Sequence, residues 1–172
     1  MISFVLIYLA GLPIAVLLHE ARHAIGSALI SKEKVSVYLG PLDDSNKENF
    51  RFGKVSFHIR WAYYGFCAFS KPKEKRSKIQ RFLFLAGGPA ASLCIAFLSF
   101  AALNQLTNWD LQNFTKGFMY INLWLFAGTS IPVIYPKWMG PYAGHSSDGY
   151  QLIQLMKKEK NNCFRSGLKN AA

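Results

Sequence analysis

The segment His19-Glu20-Ala21-Arg22-His23 carries the residues most suited to chemistry. Its two histidines stand four positions apart, so on a helix they share one face and both imidazoles can bind the same zinc ion. The glutamate beside the first histidine then faces the metal and can act as a general base. We therefore predict a zinc site on His19 and His23, with Glu20 as the catalytic base.

The nearby sequence does not supply a third ligand. A catalytic zinc usually has three protein ligands and one open position. In one common pattern a histidine follows six residues after His23, but that position is Leu29. In another pattern a glutamate follows about 20 residues later, a spacing that neither Glu33 nor Glu48 matches. The third ligand must come from further along the chain.

Three long stretches contain no charged residue: 1–18, 82–103 and 117–135. They mark the elements that could position this site. About 20 apolar residues can cross a bilayer as a helix, and three such stretches are too many for the core of a small soluble protein. We predict three transmembrane helices at about 2–30, 82–103 and 117–135. The first stretch lacks the basic residues that begin a signal peptide, so we expect it to be retained.

The positive charge is distributed unevenly along the chain. There are 20 Lys and Arg residues against 9 Asp and Glu, a net charge of +11 that would suit nucleic acid if it formed one patch. Instead, 12 of the basic residues lie in 31–81, one in 104–116 and six after Tyr135. Basic loops stay in the cytoplasm. We therefore predict a multi-pass protein of the cell membrane with its N-terminus outside, its C-terminus in the cytoplasm and no nucleic-acid partner, whose basic loop contacts anionic lipid of the bilayer.

This topology selects a candidate for the third ligand. After the long loop, the remaining carboxylates are Asp110, Asp148 and Glu159. Asp110 falls in the outer loop and Glu159 in a lysine-rich tail. Asp148 follows the third span on the cytoplasmic side, where the depth of the histidines along their helix places the zinc. We predict Asp148 as the third ligand. The alternatives are a simple Asp-Gly turn at Asp148 and His145 as a competing ligand.

Three segments in this order resemble the site-2 protease family of intramembrane metalloproteases. They are the HExxH segment 18–24, the run Ala-Gly-Gly-Pro-Ala-Ala at 86–91, and Ser-Asp-Gly at 147–149. Together they span a membrane core of residues 1–156, which is followed by a basic tail, 157–172. The chain departs from the family pattern by carrying Thr-Ser-Ile-Pro where Asn-Leu-x-Pro is usual, and a longer insert, 133–147, before the Asp-Gly pair.

The resemblance implies one zinc ion per chain, held by His19, His23 and Asp148, with Glu20 as the general base. It also implies hydrolysis of peptide bonds in membrane-protein substrates, because a substrate helix must enter the bilayer to reach the site. His145 is then expected to lie near the ligands or to contact substrate.

Three further features of the sequence support secondary predictions. Alternating apolar and polar residues at 35–39 and 50–60 predict a small β hairpin or sheet in the long loop. It would either shield the site or offer an edge to which an unwound substrate adds a strand. The Gly-Gly-Pro run at 87–89 predicts tight helix packing. Asn122, a polar residue in the third span, would bond across helices or contact substrate.

Two other classes of protein share some of these features with a protease. A non-catalytic membrane homologue could bind client transmembrane helices without cutting them, but a pure metal-binding scaffold has no need of a base such as Glu20. A membrane di-iron oxygenase needs clusters of histidines, and the chain has four histidines in all. The residues therefore favour a zinc metalloendopeptidase.

Overall fold

The structure is a computed structural model that describes residues 2–29, 33–69 and 76–157. Five α-helices and a four-stranded sheet make up the described part. The helices are α1 (Ile2–Leu6), α2 (Leu12–Ala28), α3 (Lys78–Leu103), α4 (Trp109–Ser130) and α5 (148–157), and the strands are β1 (Val35–Leu39), β2 (Phe50–Phe52), β3 (Val55–Ile59) and β4 (Gly65–Phe69). A π-helical segment, Ile7–Gly11, joins α1 to α2, and a 3-10 helix, Lys137–Tyr142, lies between α4 and α5.

The first predicted span is one continuous helix. The segments α1, Ile7–Gly11 and α2 follow each other without a break. The π-helical turn ends two residues before Pro13, whose ring nitrogen cannot donate a helical hydrogen bond, so the helix widens locally instead of stopping. The helix ends at Ala28, close to the predicted end; residues 30–32 lie outside the described part, as does the predicted tail after 157.

The second and third predicted helices have different bounds from those expected. α3 begins at Lys78 because Ser77 and Gln80 form a reciprocal capping box. α4 covers Trp109–Ser130 and not 117–135, so that prediction was wrong by several residues at both ends. Asn108 caps α4 by accepting a hydrogen bond from the Leu111 N–H, and Pro132 disfavours helical backbone immediately after Ser130.

Two of the described helices are long and apolar enough to cross a membrane, Ser3–Ala28 and Lys78–Leu103. Among these described residues α4 does not reach the same hydropathy, because polar residues such as Lys116 and Asn122 interrupt it. α4 nevertheless packs extensively against α3. The described helices therefore include two apolar candidate spans and a third, more polar helix beside them.

The long loop folds into a mixed sheet with strand order β2-β3-β1-β4. β1 pairs parallel with β3 and antiparallel with β4, while β2 and β3 form an antiparallel hairpin around Gly53. The predicted small sheet is confirmed, but β4 was not foreseen. Apolar residues of the sheet pack against the C-terminal half of α2 in a small core that includes Ala24, Val35, Val37 and Val55. This packing holds the sheet beside the HExxH segment.

Candidate metal centre

The structure brings His19, His23 and Asp148 together. The Nε2 atoms of the two histidines are 3.2 Å apart, and Asp148 Oδ2 lies 3.6 Å from His19 Nε2 and 3.3 Å from His23 Nε2. A tetrahedral zinc ion with bonds of about 2.0–2.1 Å places its ligand atoms roughly 3.3 Å from one another. The three atoms therefore form a triangle of the right size for one tetrahedral metal ion.

Helix α3 orients both imidazoles from behind. His23 Nδ1 donates a hydrogen bond to the main-chain carbonyl of Phe84, and His19 Nδ1 bonds the Ser92 hydroxyl at 2.9 Å. Engaging Nδ1 in this way leaves Nε2 available for a metal and restricts rotation of the ring. The Phe84 contact has no signature in the sequence, because a carbonyl is present at every residue. Ser92 has a signature in the sequence, because it is a polar residue within the uncharged run 82–103, and in the structure it is fully buried.

Gly88 of α3 lies directly against the ligand triangle. A Cβ atom at Gly88 would lie 2.2 Å from His23 Nε2 and 2.6 Å from His19 Nε2. At Gly87 a Cβ atom would lie 2.9 Å from the Arg22 carbonyl oxygen. The predicted tight packing at the Gly-Gly-Pro run is confirmed. The position of Gly88 against the ligand nitrogens is a further feature that the sequence did not indicate.

Asp148 is the first residue of α5 and does not lie in a simple Asp-Gly turn. Ser147 caps this helix: its hydroxyl accepts hydrogen bonds from the main-chain N–H groups of Tyr150 and Val133 at 3.1 and 3.2 Å. The same hydroxyl donates to the Ile131 carbonyl at 2.7 Å. Ser147 is almost completely buried. Asp148 is therefore held by a satisfied buried cap and by the chain that follows α4.

Close packing and charge complete the environment of Asp148. A Cβ atom at Gly149 would lie 1.8 Å from the Ser130 carbonyl oxygen, so a glycine is required where α5 meets the end of α4. This close approach is to α4 and not to the histidine helix. Burial raises the pKa of the Asp148 carboxyl, but His23 and His19 lower it by more, to about 2. The carboxyl is ionised at neutral pH, as a metal ligand must be.

The ligand triangle opens on a cavity of about 600 Å³. Glu20 lines this cavity next to β4, since a Cβ atom at Gly65 would lie 3.0 Å from Glu20 Cγ. Burial and the nearby charge of Glu20 raise the pKa of the Cys67 thiol and of the Tyr142 hydroxyl, so both groups are neutral. A carboxylate, three converging ligands and a largely apolar wall thus share one space.

Two other predicted site residues, His145 and Asn122, lie outside the ligand triangle. His145 lines the same cavity, with its ring 5.8 Å from that of Phe66, but it does not belong to the ligand triangle. Its role near the ligands or substrate stays a prediction. Asn122 is fully buried and its amide donates to the Phe118 carbonyl of its own helix at 2.8 Å. Within the described residues Asn122 makes no hydrogen bond across helices, so that interpretation was wrong. It does not line the cavity either, and its contact with substrate stays a prediction.

No family model, curated protein or solved structure matches this chain. The function of the chain must therefore be inferred from the geometry of the ligand triangle, from the cavity beside it, and from the resemblance of three sequence segments.

Proposed function

We propose that the chain is an intramembrane zinc metalloprotease that hydrolyses peptide bonds of membrane-protein substrates. The observation that carries this proposal is the convergence of His19, His23 and Asp148 beside Glu20 at a cavity of about 600 Å³. Structural zinc sites are closed by four protein ligands, whereas catalytic sites keep one position open. Three ligands converge within the described residues, which favours a catalytic site.

The ligand set and the base together favour zinc hydrolysis. Two imidazoles and one carboxylate match a known type of catalytic zinc site. The same set also binds non-haem iron, but an iron oxygenase has no need of a carboxylate base next to the first histidine. Glu20 therefore supports hydrolysis, and zinc is the metal that we propose.

The proposed mechanism assigns separate tasks to the residues of the chain. When bound, zinc supplies Lewis-acid chemistry, since it makes water a nucleophile at neutral pH and polarises a carbonyl. Glu20 removes a proton from the attacking water and delivers it to the leaving amine. Ser92 and the Phe84 carbonyl hold the two imidazoles in place, and Ser147 holds Asp148 at the start of α5.

The exposed surface of the helices supports a membrane location. In the two candidate spans, only 28% and 33% of the most apolar 18-residue segment is buried. A core helix of a soluble protein is mostly buried. On α3 the side chains of Phe97, Leu98 and Phe100 are 65%, 70% and 61% exposed, and Trp124 on α4 is 80% exposed. Apolar surface of this extent requires a cover. We propose lipid, with α4 as the third span and the N-terminus outside, as the charges of the loops favour.

A test should separate metal binding from cleavage. Wild-type protein, Glu20→Gln and the double variant His19→Ala/His23→Ala are purified in detergent, their zinc content is measured, and each is co-expressed with candidate membrane substrates. We expect about one zinc per chain in the wild type and in Glu20→Gln, and cleavage by the wild type alone. Equal zinc in the double variant would refute the metal site. Binding of clients without cleavage by either zinc-loaded form would favour the non-catalytic homologue.

A further inference from the structure

Within the described residues, one edge of β4 pairs with no other strand, and this open edge lies along the cavity. β4 is an edge strand of the sheet, and all five of its residues line the cavity. Opposite residues in an antiparallel pair alternate between those that exchange main-chain hydrogen bonds and those that do not. The Gly40 N–H donates to the Tyr64 carbonyl at 2.8 Å, which is a bonded pair. In this register Gly65, Cys67 and Phe69 direct their main-chain N–H and C=O groups away from β1, towards the open edge.

One group on this open edge already has a partner. The Gly65 N–H donates to the Tyr142 hydroxyl at 2.9 Å, although the two residues are 77 positions apart in the sequence. Tyr142 is the last residue of the 3-10 helix between α4 and α5. Its ring packs against Phe66 and Tyr135, with centroids 5.4 and 5.8 Å away. These ring contacts hold the hydroxyl at the edge of β4.

The occupied end of the edge lies close to the proposed base. Gly65 packs so closely on α2 that a Cβ atom there would lie 3.0 Å from both Glu20 Cγ and Val16 Cγ1. The hydroxyl that accepts the Gly65 N–H therefore stands beside the part of the cavity where Glu20 lies. A peptide strand extending along β4 would meet Tyr142 as it reaches Glu20.

We propose that Tyr142 is a positioning residue that ends the substrate-binding edge of β4 at Gly65 and thereby selects which substrate peptide bond lies at Glu20. This inference rests on the proposed protease function and on strand addition as the mode of substrate binding. A substrate strand can pair with Cys67 and Phe69, but its carbonyl cannot accept the Gly65 N–H while Tyr142 does so. Because side chains alternate with a period of two, the next register that keeps the same faces is displaced by two residues.

The experiment compares a hydroxyl deletion with a matched control. Tyr142→Phe keeps the ring that packs on Phe66 and frees the Gly65 N–H. Tyr135→Phe is the control, since Tyr135 lines the same cavity but its hydroxyl donates to the Gly128 carbonyl at 3.2 Å. The two variants and the wild type, all zinc-loaded in detergent, digest the purified membrane-protein substrate that the wild type cleaves on co-expression, and mass spectrometry maps the cut positions. Zinc content and melting temperature are measured on each preparation.

We expect the wild type and Tyr135→Phe to cut the same bonds. Tyr142→Phe should add cuts displaced by two residues, with the displaced products rising about 2- to 10-fold relative to the original ones, as one additional hydrogen bond allows. Unchanged cut positions in zinc-loaded Tyr142→Phe would overturn the proposal. So would a zinc-loaded but inactive Tyr142→Phe, because the hydroxyl would then serve the chemistry and not the register. Failure of the wild type to cut any candidate membrane substrate on co-expression would instead count against the protease function on which the proposal rests.

Discussion

Adding one methyl group at Gly88 should disrupt the metal centre. A Cβ atom at this position would lie 2.2 and 2.6 Å from the two ligand nitrogens, His23 Nε2 and His19 Nε2, whereas side-chain Cβ atoms essentially never approach other atoms within 3.0 Å. The nearer nitrogen must therefore move by 0.8 Å or more, since 3.0 minus 2.2 is 0.8. Such a shift is a large fraction of a zinc–nitrogen bond of about 2.0 Å. We expect the zinc affinity of Gly88→Ala to fall at least about 100-fold, the upper end of the loss seen when groups that merely support the ligands are removed.

The assay is a competitive zinc titration in detergent, with circular dichroism to check that the helices persist. Gly128→Ala is the matched control, because Gly128 lines the same cavity but a Cβ atom there meets nothing within 4 Å. That variant should bind zinc normally and be as stable as the wild type or up to about 1 kcal/mol more stable, because alanine favours the helix. If Gly88→Ala bound zinc as tightly as Gly128→Ala, the ligand triangle described above would not be the metal site.

Three further predictions concern the third ligand, pH and topology. Asp148→Ala should lose zinc and cleavage, while His145→Ala keeps most of both. If zinc analysis showed that His145→Ala loses zinc and Asp148→Ala keeps it, the three ligands would all be histidines. In metal-free protein the lowered pKa of Asp148 stabilises the fold above about pH 4 and that stability is lost as the pH falls towards 2. Chemical denaturation should show the wild type losing about 2 kcal/mol more than Asp148→Asn over this range, and equal losses would contradict the ion-pair geometry. In a cysteine-free background, Thr107→Cys should react with an impermeant reagent outside intact cells and Ser45→Cys should not; the opposite labelling would reverse the topology.

Local pattern was sufficient to predict the elements that contain the chemistry. The spacing of His19 and His23 places both on one helix face wherever that helix packs, because helix geometry depends on neighbouring residues alone. The alternation in 35–39 and 50–60 likewise predicted strands, since period two is a property of the extended backbone. Asp148 was selected by elimination of other carboxylates, and this depended on the distribution of charge and not on contacts.

Helix and strand boundaries were less well predicted where a cap or a cavity decided them. α4 begins after Asn108 because a single side chain satisfies its first N–H groups, and the uncharged run 117–135 carries no trace of that bond. β4 (Gly65–Phe69) lacks polar alternation because its residues pair with β1 and line a cavity, so it resembles an ordinary apolar run.

The details that make the ligand triangle a site were decided by the tertiary structure. Gly88, Ser92 and the Phe84 carbonyl reach the histidines only because α3 packs on α2. Tyr142 reaches Gly65 only because the chain between α4 and α5 folds back over the sheet edge. These contacts join residues far apart in the sequence, and several use main-chain atoms that every residue possesses. The sequence by itself therefore determined which side chains are available for chemistry, while the packing of α2, α3 and α5 decided what surrounds them.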